Sequence, residues 1–251
     1  MDIIQSFYNG MASQYHKLFA DWQSTTREQA DILDKIFKDC GFQGSTRILD
    51  CACGIGTQSI GLAALGYSVA ASDISEEEIK EARNRATAAG LNIDFKCADF
   101  RALGNVYSEN FDIIIAMDNA LPHMLSKEDL NRAIESITER MARGGIFVAS
   151  IRDYDVILED KPPYSPPYIH KTSNGRRVSF QTWDWDGDKY KLTQYIIEDG
   201  ETVQASKFQC EYRATRRDEL TELLIQNGCR EVDWKFPNET GFYQPILIAK
   251  K

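Results

Sequence analysis

The stretch Arg47–Ser75, RILDCACGIGTQSIGLAALGYSVAASDIS, holds the residue types and spacing in this chain best suited to ligand chemistry. An apolar run ends on Asp50, a turn carries Gly54 and Gly56, and a second apolar run ends on Asp73. Glycines let a backbone approach a ligand closely. A carboxylate at the end of the next strand can accept the hydroxyl hydrogens of a ribose. Dinucleotide sites add a third glycine for helix–strand packing and set a pyrophosphate on the helix N-terminus. Here Ser59 stands at the third position, and Asp50 sits just before the turn. A carboxylate there repels a pyrophosphate and attracts a cation. S-Adenosylmethionine (SAM) is a nucleoside carrying a sulfonium and an α-amino group, so it suits both features. A NAD-dependent oxidoreductase with an imperfect fingerprint is the distant alternative.

Strands and helices must hold that turn. TREQADILDKIFKDCG has apolar residues at Ala30, Ile32, Leu33, Ile36 and Phe37, which is helix spacing, with Gly41 as its stop. Strands and helices then alternate. RILDCA, YSVAASD, NIDFKCAD, FDIIIAMD and IFVASI read as strands; TQSIGLAALG, SEEEIKEARNRATAAG and SKEDLNRAIESITERMARGG read as helices. Ser75 suits the N-cap of the second helix, glutamates its first turn and Gly90 its end. Such alternation means an α/β fold with a parallel sheet wound on both sides by helices. Ligands of doubly wound sheets lie beyond the carboxyl ends of the strands.

After Ile151 the pattern changes. KPPYSPPYIHK is too proline-rich for regular helix. Three alternating runs split by Asp-Gly turns follow, predicting an antiparallel meander. The helix RRDELTELLIQNG and the strands REVDWKF and GFYQPILIAKK complete a mostly parallel seven-stranded sheet. The expectation is a single domain, 1–251: an N-terminal helical cap (1–44), a core (45–152), an inserted β lid (153–213) after the fifth strand, and a C-terminal helix with the last two strands (214–251).

The chain has 251 residues, 43% hydrophobic and 27% charged, an ordinary globular composition. A net charge of −9 disfavours nucleic acid as partner. No apolar run is long enough to cross a bilayer, and the N-terminus lacks the basic and apolar regions of a secretory signal. Six cysteines without a CxxC pair and three histidines argue against zinc, and for reduced thiols in a cytoplasmic core. A homo-oligomer is compatible with all of this.

LDCACGIGT resembles the first motif, (L/V)(D/E)xxxGxG, of class I SAM-dependent methyltransferases. Further resemblances are Asp73 at the second-strand acid, CADF with Asp99 and Phe100 at the adenine contact, FDIIIAMDNALPH at the fourth strand and RGGIFVAS at the turn into the fifth. The resemblance implies a Rossmann-like methyltransferase fold with SAM as cofactor; no metal is expected from the cysteine and histidine inventory. It implies a cofactor set of Asp50, Ala52, Gly54, Gly56, Asp73, Ile74, Asp99, Phe100 and Met117, to which three residues with a second reading are added: His123, which equally packs its loop, Arg27, which equally reads as a solvated charge in a first helical turn, and Tyr15, which reads first as a core aromatic.

Within that class, SIRDYDVIL, MDNALPHM, ASKFQCEYRATRRDELTELL and YHKLFADWQSTTREQADIL resemble segments of glycine/sarcosine N-methyltransferases. The likeness implies methylation of the amine of glycine, sarcosine or a related small amino acid. Arg152 would clamp the acceptor carboxylate, which a guanidinium pairs bidentately. The other reading of Arg152 is a surface residue paired with Asp153 or Asp155. Asn119 would bond the acceptor or cap a turn. Tyr168, Tyr195 and Tyr212 would come from the lid to hold an amine or favour a developing cation, or would simply pack it. Direct displacement needs alignment above all, and no side chain is expected as an essential general base. A methyltransferase of another small metabolite is the alternative.

Overall fold

The computed structural model describes residues 3–251. Its main sheet contains β1 (Arg47–Asp50), β2 (Ser68–Asp73), β3 (Asp94–Cys97), β4 (Phe111–Ala116), β5 (Met141–Ser150), β10 (Glu231–Lys235) and β11 (Ile246–Lys250). Their order across the sheet is β10-β11-β5-β4-β1-β2-β3. β1 to β5 run parallel, and β11 is antiparallel to both neighbours. The chain winds outward from β1 to β3 and then returns to β4 on the other side of β1. Loops after β1 and β4 therefore diverge and leave a crevice, where the glycine turn lies.

Among the described residues eight α-helices flank the strands: α1 (Ile3–Met11), α2 (Trp22–Asp39), α3 (Thr57–Ala64), α4 (Glu76–Ala88), α5 (Lys127–Arg140), α6 (Tyr154–Asp160), α7 (Arg217–Gln226) and α8 (Pro237–Thr240). Ser75 caps α4 by accepting the Glu78 amide at 3.1 Å. Gly41 follows α2 with φ +90°, and Gly90 follows α4 with φ +69°. Both are left-handed turns that a Cβ would strain.

The second sheet is antiparallel and follows the fifth strand, with β6 (Tyr168–Thr172), β7 (Gly175–Asp186), β8 (Lys189–Asp199) and β9 (Val203–Arg213) in that order. It has four strands where alternation predicts three, because β6 is a short edge strand behind prolines. Its buried face shares one apolar core with the main sheet: Trp183, Tyr190, Leu192 and Tyr212 pack in one cluster with Leu49, Ile114 and Phe147. The N-terminal segment ties the two sheets together. Lys17 pairs with Glu198 of the lid at 2.6 Å, and Gln5 Nε2 bonds the Ile74 carbonyl after β2 at 3.1 Å.

Two boundaries differ from expectation. The helix read through Gly145 stops at Arg140, and β5 starts at once. Met141 pairs with Phe111, a bulge follows, and a Cβ on Gly145 would lie 2.8 Å from the Asp112 carbonyl oxygen, so this glycine serves a close strand contact. The last strand begins at Ile246 rather than Gly241; the residues before it turn toward the crevice, where Tyr243 reaches Asp118.

The glycine missing from position 59 has a counterpart two residues on. A Cβ on Gly61 would come within 2.6 Å of both Ala30 Cβ and the Thr26 carbonyl oxygen of α2. Gly61→Ala is expected to cost about 1–3 kcal/mol, read as a lowered midpoint of denaturant unfolding. An unchanged midpoint would show that α2 moves freely against α3.

Candidate active site

A cleft lies over the carboxyl ends of β1, β2 and β4, the place where doubly wound sheets hold their ligands. Ala52, Gly54, Asp73, Ile74, Asp99 and Phe100 line it, as do Met117, His123 and Tyr15. Gly54 is left-handed, with φ +51°, and donates its amide to Asp73 Oδ2 at 2.9 Å; the Ser75 amide donates to Asp73 Oδ1 at 2.9 Å. These two bonds hold the carboxylate at the cleft wall and leave each oxygen further acceptor capacity. Burial nevertheless raises its pKa.

Asp50 and Gly56 do not line the cleft; they build the turn beneath it. Gly56 caps α3 with φ +89°. Asp50 is fully buried, accepting the Ser59 hydroxyl at 2.6 Å and the Ala52 amide at 3.4 Å. Burial pushes its carboxyl up to about 7, against those two hydrogen bonds. Ser59, where a dinucleotide fingerprint has glycine, is thus the partner of the acid before the turn.

Arg27 is not brought to the site. It is exposed on α2, whose inward face is Thr26, Gln29, Ala30 and Leu33. Gln29 reaches Gln58 Nε2 at 2.6 Å instead.

Glu78 is a cleft residue the sequence conceals. It stands three places after Ser75, where a capping-box glutamate would return a bond to the N-cap amide. That amide is taken by Asp73. Both Glu78 oxygens are left buried without a hydrogen-bond partner, and one would lie 2.9 Å from a Cβ on Gly54. Burial, then the nearby Asp73 charge, raises its pKa well above the usual range. A neutral Glu78 can both donate and accept.

A second, wider cleft opens between the main sheet and the lid, and Arg152 lies on it just past β5. Its Nη1 donates to Tyr190 Oη at 2.5 Å and its Nη2 to Gln181 Oε1 at 2.9 Å. The guanidinium lies over the rings of Trp183 and Tyr212, at 5.1 and 5.3 Å from their centroids. Among the described residues no carboxylate forms an ion pair with it. The acids beside it in sequence are engaged elsewhere: Asp153 pairs with Arg217, and Asp155 with Arg216 and Arg217. The surface-pair reading of Arg152 therefore does not hold.

Asn119 is buried and lines neither cleft. Its Oδ1 accepts the Arg152 amide at 3.0 Å and its Nδ2 donates to Tyr154 Oη at 3.0 Å. It fixes the backbone that carries the arginine. Tyr212 lines the second cleft, as does Tyr168, which is 63% exposed at the rim. Tyr195 lines neither; it stacks on Phe180 at 4.9 Å. Along β8 the side chains alternate, so Tyr190, not Tyr195, shares the face of Leu192 and Gln194. The pair Tyr190 and Tyr212 stack across the strands at 5.5 Å.

Three residues line both clefts: Tyr8, Tyr15 and Asp118. Tyr8 was not picked out in the sequence, because α1 offers no motif. Its hydroxyl lies 2.7 Å from His123 Nε2. The other ring nitrogen, Nδ1, faces the Glu211 carbonyl at 3.3 Å and must donate to it. In the neutral imidazole Nε2 then accepts from Tyr8. Burial drops its pKa to about 3, so it keeps that form at neutral pH.

Residues 48–145 match a sequence family described as a methyltransferase domain. A glycine/sarcosine N-methyltransferase of Aphanothece halophytica is 25% identical over 256 residues, covering 98% of this chain and 89% of that protein. A ubiquinone biosynthesis O-methyltransferase of Chelativorans sp. is 38% identical over 111 residues, 44% of this chain and 42% of its own. Among solved structures, an S-adenosylmethionine-dependent methyltransferase of Clostridium acetobutylicum superposes with a TM-score of 0.76 at 19% identity, covering 97% of this chain and 98% of that one. At that identity the superposition speaks for the fold. Among the described residues no helix is long and apolar enough to cross a membrane.

Proposed function

This chain is an S-adenosylmethionine-dependent methyltransferase, and from that premise we propose that it methylates the nitrogen of glycine, sarcosine or a closely related small amino acid. The observation that carries the reading is Arg152: a guanidinium without a carboxylate, facing the cleft that opens beside the cofactor. A charge so enclosed is costly unless something pairs it, and an acceptor carboxylate would. The long likeness to a glycine/sarcosine N-methyltransferase supports the same choice.

The fit of the cofactor to these residues rests on the cleft itself. Asp73 and Glu78 would take the ribose hydroxyls, the second through an otherwise orphaned buried carboxyl. Asp99 and Phe100 would meet the adenine, and the Gly54 turn would let the ligand approach the backbone. Asp50 would act from beneath the turn, its developing negative charge favouring the cofactor's cationic groups. Bound there, the cofactor supplies an electrophilic methyl on sulfur. The chain's own task is alignment: Arg152 fixes the carboxylate end, while Tyr8, Tyr15 and Tyr212 enclose the path between the clefts and keep water from it. Held in line with that methyl, an unprotonated nitrogen would form the N–C bond as the S–C bond broke and its electron pair went to sulfur. The products would be the N-methyl ammonium and S-adenosylhomocysteine.

The test is S-adenosylhomocysteine production from SAM with glycine, sarcosine and dimethylglycine offered separately, against a no-acceptor blank. Turnover above blank is expected with at least one, and the pattern counts the methyl groups added. SAM binding without any turnover would discard the amino-acid acceptor and leave the methyltransferase.

A further inference from the structure

Asp118 stands where the two clefts meet, and we propose that it receives the acceptor's ammonium group and takes the proton that the nitrogen must lose before it attacks. This rests on the reading of the acceptor as an amino acid. Asp118 lines both the cofactor cleft and the Arg152 cleft, so it borders the path of the methyl group. Its Oδ2 accepts from Gln58 Nε2 at 2.8 Å and its Oδ1 from Tyr243 Oη at 2.8 Å. Each oxygen keeps further acceptor capacity. Among the described residues no lysine or arginine pairs with it. Arg152 faces the same cleft, equally without a counter-ion. One cleft thus carries a positive and a negative group held apart by separate neutral anchors, the complement of a zwitterion.

The backbone marks the position too. Asp118 and Asn119 are consecutive left-handed residues, φ +55° and +71°, and neither is glycine. Asp and Asn are the side chains that enter this region most readily, and two in succession still mark a backbone held there by its surroundings. Ser150 holds it in place: its Oγ accepts the Asp118 amide at 2.8 Å and its carbonyl the Asn119 amide at 3.0 Å.

Burial raises the Asp118 pKa above the usual carboxylate range, against the Gln58 and Tyr243 hydrogen bonds. That makes it a better proton acceptor at neutral pH. The other titratable groups facing it are Tyr15, Tyr243 and Asp50, with Arg152 on the same cleft. In the step, an N–H bond of the ammonium breaks and an O–H bond forms on Asp118. The freed lone pair forms the N–CH₃ bond as the S–CH₃ bond breaks, and the positive charge passes from sulfur to nitrogen. Asp118 afterwards returns its proton to solvent. The proposal stands against the expectation that no side chain is essential as a general base.

The experiment compares wild type, Asp118→Asn and Asp118→Glu, with SAM affinity measured by calorimetry. At about pH 7.5, Asp118→Asn is expected to lower kcat/KM for glycine at least about 100-fold. At about pH 10 solvent supplies more unprotonated amine, and the gap is expected to shrink below about tenfold. Asp118→Glu should recover at least about tenfold at the lower pH. SAM should still bind to both variants, which reports that they fold, and any loss of SAM affinity should be smaller than the loss in kcat/KM for glycine. No loss in the asparagine variant, an equal loss at both pH values, or a glutamate variant no better than asparagine would each overturn the assignment. If wild type methylates none of glycine, sarcosine and dimethylglycine, the amino-acid reading alone fails. A panel of amines without a carboxylate then decides: turnover of an amine lost in Asp118→Asn sustains Asp118, and turnover of a phenol or thiol alone overturns it.

Discussion

Arg152→Ala is expected to raise the acceptor KM at least about 30-fold, with SAM affinity within about threefold of wild type. Removing one side of an enclosed charge pair costs about 2–5 kcal/mol, and the guanidinium has no protein carboxylate to share that loss. The alanine also removes the ring contacts with Trp183 and Tyr212 and the bonds to Tyr190 and Gln181. Arg152→Lys separates the two effects. It keeps the charge and loses the planar fork, so a KM between the other two enzymes is expected. Steady-state kinetics with the best of the three amino acids reads both variants. An acceptor KM unchanged in Arg152→Ala, in a protein that still binds SAM, would move the acceptor to another class.

The second large effect is opposite in sign for stability and for binding. Asp50→Asn is expected to unfold at a higher temperature than wild type at about pH 8, yet to bind SAM at least about tenfold more weakly. The sign follows from the carboxyl held at about 7 in the folded protein by burial. Its ordinary value in an unfolded chain is near 3.9. Between those values the folded state binds more protons than the unfolded one, so stability falls as pH rises through this window. Above about pH 7 the full penalty, at most roughly 4 kcal/mol, is present, and below about pH 4 it is gone. An asparagine does not ionise, so its advantage should grow from about pH 4 to 7 and then level off. The Ser59 hydroxyl can rotate to accept from the new amide, which keeps the turn intact. The ionised wild-type carboxylate, in turn, is what a sulfonium and an ammonium would favour, so SAM binding near pH 7 should release protons. Calorimetric melts across pH, and SAM titrations in buffers of different ionisation enthalpy, measure both. Equal melting temperatures at about pH 8 would show that the carboxylate is not strained.

Much of the fold was legible because its signals are local. Buried strand runs, helix spacing, Ser75 as N-cap and Gly41 and Gly90 as stops act within a few residues of themselves. The departures came where a distant strand decided: β5 begins at Met141 because Phe111 pairs with it, and β6 exists because β7 offers its edge.

The site divides in the same way. The sequence alone determined the turn and its two acids, and it pointed to an arginine past the fifth strand, since each lies at a fixed place on a repeating strand–helix unit. Only the tertiary structure decided which side chains line the clefts. Asp50 went beneath the turn, Asn119 behind Arg152, Arg27 to the surface, and Tyr190 took the face that Tyr195 had been expected to share. Glu78 and Asp118 reached the clefts because other groups had taken, or left open, the partners they would otherwise have had. Facing is set by register and by competition for hydrogen bonds between segments far apart in the chain, and a residue's own neighbours in sequence carry no record of either.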